Sequence, residues 1–125
     1  MDPTSVRYRD VLVVEDERPL RRIIRRNLER RGVTVREAAT AAEGLDAIRE
    51  RAPDLLLLDI NLPDRTGWEL LRALRLEGPI PTTAVISAVR ITPERLLEFG
   101  VVGYLPKPFL IESLMRLVLG HEVPA

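Results

Sequence analysis

The stretch Asp54-Leu55-Leu56-Leu57-Leu58-Asp59-Ile60-Asn61 sets four consecutive leucines between two carboxylates. The run has strand length, and its unbroken apolar character is that of a strand buried on both faces. Shorter apolar runs recur at residues 11–14, 33–35, 84–86 and 101–105. Helical signals fill the gaps. Pro19 opens a helix that Gly32 closes, and Thr40 with Glu43 forms a capping box ahead of Leu45 and Ile48. Leu70, Leu71 and Leu74 mark the buried side of a third helix over 67–76. Thr92 caps and Pro93 begins a fourth that ends at Gly100, and Ile111, Leu114, Met115 and Val118 line a fifth after Pro108. The reading is five βα units, an α/β domain whose parallel sheet is covered by helices on both faces.

The 125 residues fit one domain, with a core over about 9–119 and loose ends at 1–8 and 120–125. No cysteine is present, which excludes disulfides and thiolate metal sites and fits the cytosol. No apolar run approaches the roughly 18 residues of a membrane span, and no signal-peptide core is visible, so a soluble, cytoplasmic protein with no membrane partner is expected. Nineteen basic residues balance nineteen acidic ones, which argues against direct nucleic-acid binding. Arg21, Arg22, Arg25, Arg26, Arg30 and Arg31 crowd the first helix; with Leu20, Ile23, Ile24 and Leu28 as its buried side, they read as a solvated face rather than a phosphate stripe. Lys107 is the only lysine, a compact charge that arginine cannot replace in a tight site. The glycines form no nucleotide-binding loop, and His121, the only histidine, sits in the tail.

Ligands of open α/β sheets bind at the carboxyl ends of the strands. There the first apolar run meets Glu15 and Asp16, the third Asp59 and the fourth Ser87, and the fifth leads to Lys107. Singly these are ordinary: Asp16 can cap a helix, Asp59 can begin a turn before Pro63, and Ser87 can be a loop hydroxyl. Together, three carboxylates on one rim demand a cation, and an all-oxygen set selects a hard ion such as Mg²⁺. A hydroxyl and an ammonium facing them suit the oxygens of a phosphoryl group.

Four blocks carry a resemblance: Val11-Leu-Val-Val-Glu-Asp-Glu17, Asp54 through Gly67, Ile86-Ser-Ala88, and Gly103-Tyr-Leu-Pro-Lys-Pro-Phe109. In this order they resemble the signatures of response-regulator receiver domains. The resemblance implies a flavodoxin-like (βα)5 fold with sheet order 2-1-3-4-5. It also implies that Asp59 is a phosphoacceptor, that Glu15, Asp16, Asp59 and the Asn61 backbone carbonyl hold Mg²⁺, and that Ser87 and Lys107 bind phosphoryl oxygens. Ser87 and Tyr104 match the switch pair, and Lys107-Pro108 matches a peptide bond that is cis in the family. The implied partners are a histidine kinase or phosphotransfer protein, and downstream a protein or a second copy docking on the fourth helix, fifth strand and fifth helix. The implied chemistry is limited to self-phosphorylation and autodephosphorylation.

Glu15 stands where aspartate is frequent, and the intervals from Asp59 to Ser87 and from Ser87 to Lys107 are slightly short, which trims the loops around the third and fourth helices. Three alternatives compete. Asp59-Ile-Asn61 superficially resembles the DxD motif of a small Mg²⁺-dependent phosphohydrolase, although there the motif follows the first strand and a cap shapes the pocket. A pseudo-receiver would commonly lack the aspartate or lysine. The chain could also be the receiver of a longer DNA-binding regulator.

Overall fold

The computed structural model describes residues 7–120, so His121 lies outside the described residues. The strands are β1 (Asp10–Val14), β2 (Thr34–Ala38), β3 (Leu55–Asp59), β4 (Thr83–Ser87) and β5 (Gly103–Pro106). They alternate with helices α1 (Arg18–Glu29), α2 (Ala41–Glu50), α3 (Gly67–Glu77), α4 (Pro93–Phe99) and α5 (Ile111–Leu119). All strand pairs are parallel and the order is β2-β1-β3-β4-β5, the doubly wound sheet expected.

The leucine run explains the layering. Successive side chains point to opposite faces, so Leu55 and Leu57 join one core with Ile24, Leu28, Leu114 and Val118 from α1 and α5. Leu56 and Leu58 join the other, with Ile48, Leu70, Leu71, Leu74 and Phe99 from α2, α3 and α4. All four leucines are fully buried, each contributing about 1.5–3 kcal/mol of transfer free energy. Tyr8 packs against the first core and the Arg7 amide donates to the Leu119 carbonyl, tying the start of the described chain to α5.

Several local expectations are corrected. β2 runs from Thr34 to Ala38 rather than over 33–35, because Arg36 and Glu37 belong to the edge strand and find partners there. The Arg36 guanidinium donates to the Ala47 and Arg51 carbonyls, and Glu37 pairs with Arg21 and Arg25. β5 begins at Gly103, not at residue 101: the Val101 amide closes the end of α4 on Leu96, and the Val102 amide reaches Thr83. α1 ends at Glu29, and Gly32 serves the following turn with a φ of 83°. Ile24 and Leu28 are buried as expected, whereas Ile23 is 51% exposed among the arginines. The Thr40 and Thr92 caps hold, accepting from the Glu43 and Arg95 amides. Trp68, on α3, stacks on Phe99 of α4 at 5.4 Å between ring centres.

Candidate functional site

Each polar side chain at the carboxyl edge is placed by the backbone that leaves its strand. Beyond β1, the Glu15 amide still pairs with the Ala38 carbonyl of β2, which turns the side chain into the interior, where it is fully buried. Its Oε2 accepts from the Glu17 amide at 3.0 Å, and its carbonyl accepts from Arg21 at 2.7 Å. Asp16 points to solvent. It does not cap α1, whose N-cap is Glu17 without a side-chain hydrogen bond. Asp59 closes β3 at 2% exposure, and its Oδ1 accepts from the Asn61 amide at 3.0 Å.

Lys107 unites these groups. Its backbone amide donates to Ser87 at the end of β4, and the bond to Pro108 is cis, as expected. The ammonium lies 2.8 Å from Glu15 Oε1, 3.0 Å from Asp59 Oδ2 and 3.0 Å from Glu17 Oε1. Burial acts to lower its basicity, but the carboxylates of Glu15, Asp59 and Glu17 outweigh burial and hold the ammonium more firmly protonated than an ordinary lysine. Glu15 goes the other way. Its burial pushes the pKa up to about 7, Lys107 and the Glu17 amide oppose that shift, and the neighbouring Asp59 adds to it. One oxygen from each of Glu15, Asp16 and Asp59 lies within 4.8 Å of the others. A single ammonium for this cluster leaves an excess of negative charge. The all-oxygen donor set therefore fits a hard divalent cation, with solvent open on the Asp16 side for its waters.

Ser87 is 1% exposed and its hydroxyl faces its own loop, donating to the Val89 carbonyl at 2.9 Å and accepting from the Val89 amide at 3.0 Å. The Tyr104 hydroxyl donates to the same carbonyl at 3.4 Å. Beside Lys107 opens a cleft of about 420 Å³ lined by Glu17, Leu20, Ala88, Lys107, Pro108 and Phe109. The structure thus brings Glu15, Asp16, Asp59 and Lys107 together, sets Ser87 one strand away, and places Asn61 at the start of the loop after β3.

Sequence reasoning missed Glu17 as a partner of Lys107, although it follows the acidic pair directly. Asp64 was also passed over, standing inside the Asp54–Gly67 block with no role of its own. Its carboxylate reaches the start of α2, accepting from the Ala41 and Ala42 amides at 2.9 Å each.

The fold and its rim define a class: a doubly wound α/β domain with an acidic, lysine-bridged site where the strand order reverses. The response regulator receiver domain model matches residues 11–119, and the chain belongs to that family, the signalling domain of two-component systems. Response regulator MprA of Mycobacterium avium (strain 104) is 39% identical over 119 residues, covering 91% of this chain and 52% of the relative. The chain therefore spans about half the length of the curated relatives it matches. A CheY-like receiver domain protein from Methanospirillum hungatei JF-1 superposes with a TM-score of 0.77 at 30% identity, over 85% of this chain and 86% of that one. A response regulator from Burkholderia pseudomallei, solved with a phosphorylated aspartic acid, calcium ion and citrate, gives 0.75 at 25% identity, over 86% of this chain and 65% of that one. Among the described residues, no helix is long and apolar enough to cross a membrane.

Proposed function

We propose that this chain is a cytoplasmic phosphorylation switch. Asp59 accepts a phosphoryl group from a histidine kinase or phosphotransfer protein, and the modified domain offers a changed surface to a downstream partner. The observation that carries this reading is the Lys107 ammonium, held at 2.8 Å and 3.0 Å from two buried carboxylates of the acidic trio. An oxygen of the Asp59 carboxylate attacks phosphorus, the bond from phosphorus to the donor's leaving atom breaks, and the leaving group departs with the electron pair. Hydrolysis by water returns the carboxylate and inorganic phosphate. Lys107 offers its charge to one phosphoryl oxygen and the Ser87 hydroxyl donates to another.

Glu15, Asp16, Asp59 and the Asn61 carbonyl would hold Mg²⁺, which when bound neutralises the carboxylates and polarises the phosphoryl group. The phosphorylated aspartate and divalent ion of the Burkholderia pseudomallei relative support this assignment. For the switch, Ser87 exchanges its Val89 contacts for the phosphoryl group and Tyr104 follows it. α4, β5 and α5 then carry the change to a partner or a second copy. Leu97 is 81% exposed and Val102 50% exposed on this side, apolar surface that a docking protein could cover. The output of the longer regulator, if this chain is part of one, is a property of the rest of that protein.

Incubating the chain with phosphoramidate and Mg²⁺ and measuring its intact mass tests the proposal. One phosphoryl per chain, lost in Asp59→Asn, is expected. Steady turnover of an external phosphoester instead indicates a phosphohydrolase, and absence of any label indicates a binding module.

A further inference from the structure

The loop between β3 and α3 is fastened twice. At its base the Gly67 amide donates to the Ile60 carbonyl at 2.7 Å, and Asn61 and Thr66 pair across the loop as an antiparallel bridge. Near its middle, Asp64 spends one carboxylate oxygen on the Ala41 amide and the other on the Ala42 amide, both at 2.9 Å. Those hydrogen bonds, Ala41 first, hold its carboxyl below the usual range.

The N-cap of α2 is Thr40 rather than Asp64. Thr40 accepts from the Glu43 amide at 3.1 Å, and the Thr40 hydroxyl donates to the Glu43 carboxylate at 3.2 Å. A loop side chain that commits both oxygens to the backbone of another element restrains the loop at least as much as the helix. The restrained loop is the one that begins with Asn61.

We propose that Asp64 is a positioning residue for the metal site, pinning the β3–α3 loop to the start of α2 so that the Asn61 carbonyl is held ready for Mg²⁺. This rests on the reading of Glu15, Asp16, Asp59 and Asn61 as the metal-binding set. Mg²⁺ tolerates little departure from octahedral geometry, so a ligand on a wandering loop must be ordered at the moment of binding, which weakens affinity. Asp64 acts through the loop, touching neither the ion nor the phosphoryl group.

The test uses the full chain, with Mg²⁺ alone as the probe. Calorimetric titration should give a Kd for Asp64→Ala raised by about tenfold, the lower end of what loss of a supporting shell costs a metal site. Asp64→Asn, which keeps one acceptor oxygen but sets its amide against the second N–H, should fall between. Amide exchange without Mg²⁺ should quicken at residues 41 and 42 and across 61–66 in Asp64→Ala. Labelling of Asp64→Ala at saturating Mg²⁺ should stay within about twofold of the parent, because the chemistry is intact. An unchanged Kd beside a lowered unfolding temperature makes Asp64 a second helix cap and overturns the proposal. If the parent chain binds no Mg²⁺, or Asp16→Ala binds it as tightly as the parent, the metal-site reading itself is wrong and the proposal falls with it.

Discussion

Ser87 and Tyr104 donate to one and the same acceptor, the Val89 carbonyl, at 2.9 Å and 3.4 Å. The hydroxyl that is proposed to bind the phosphoryl group is therefore engaged beforehand, and its release frees the oxygen that holds the tyrosine. We expect beryllofluoride with Mg²⁺ to speed amide exchange at Val89, because the Ser87 oxygen that accepts its N–H turns away. In Ser87→Ala, exchange at Val89 should be fast from the outset and insensitive to the mimic. Stability should fall by about 1–3 kcal/mol, the net worth of the two hydrogen bonds that the hydroxyl makes with Val89. Unaltered protection at Val89 in the parent chain would show that Ser87 keeps its loop contact throughout.

The ammonium of Lys107 is the only cation within ion-pairing distance of Glu15 and Asp59 among the described residues. Replacing it with alanine strands two buried carboxylates together. Such a loss typically costs about 3–5 kcal/mol. Lys107→Ala should therefore unfold at clearly lower urea concentration at pH 8 without divalent ions, and millimolar Mg²⁺ should restore much of the difference by supplying the missing positive charge. A variant as stable as the parent in EDTA would mean that the carboxylates do not need the lysine.

Glu15 gives the site a pH dependence with a definite sign. Its pKa is raised from 4.5 unfolded to about 7 folded, so its contribution to stability is fully present below pH 4.5 and is lost as pH rises through 7. Glu37 moves oppositely: burial pushes it up, but Arg25 and Arg21 outweigh burial and hold it low, so its contribution disappears only as acid protonates it. In the proposed metal-binding set Glu15 acts as a carboxylate, so Mg²⁺ should bind roughly tenfold more weakly at pH 6 than at pH 8 and release protons at the lower pH. Calorimetry in two buffers of different ionisation enthalpy reads that proton count, and equal affinity at both values would remove Glu15 from the metal site.

The parts of the fold legible in the sequence were those in which one residue type faced one environment. Leu55 to Leu58 are apolar on both sides of β3, and the first polar residue after them marks the rim. The edge strand β2 was misplaced because Arg36 and Glu37 sit in it as though in a loop, and their partners on α1 and α2 become visible only once those helices have docked. The same holds at the site. Acids that interrupt an apolar run announce themselves, but Glu17 is assigned to Lys107 by a contact 90 residues away in the chain. Asp64 bonds to Ala41, 23 positions back. No local pattern encodes either pairing.

Gly67 lies against the backbone of Asp59 and Ile60, and its requirement is for space rather than for unusual backbone angles. A Cβ there would lie 2.8 Å from the Asp59 carbonyl oxygen, 3.0 Å from Ile60 Cδ1 and 3.1 Å from Ile60 Cα. The methyl of Ile60 can move, but the backbone of β3 cannot move without displacing the Asp59 carboxylate. Alanine is favoured over glycine in a helix by up to about 1 kcal/mol, yet overpacking against fixed atoms costs about 1–3 kcal/mol, so the clash should win. Gly44→Ala makes the comparison: inside α2, its Cβ would meet a Val14 methyl at 3.0 Å, the end of a side chain that can shift. We expect Gly67→Ala to lose stability in urea denaturation and to label more slowly with phosphoramidate at limiting Mg²⁺, while Gly44→Ala stays near the parent in both. If Gly67→Ala matched the parent in both, the start of α3 could move away without disturbing Asp59, and the acceptor would be less tightly built than its burial implies.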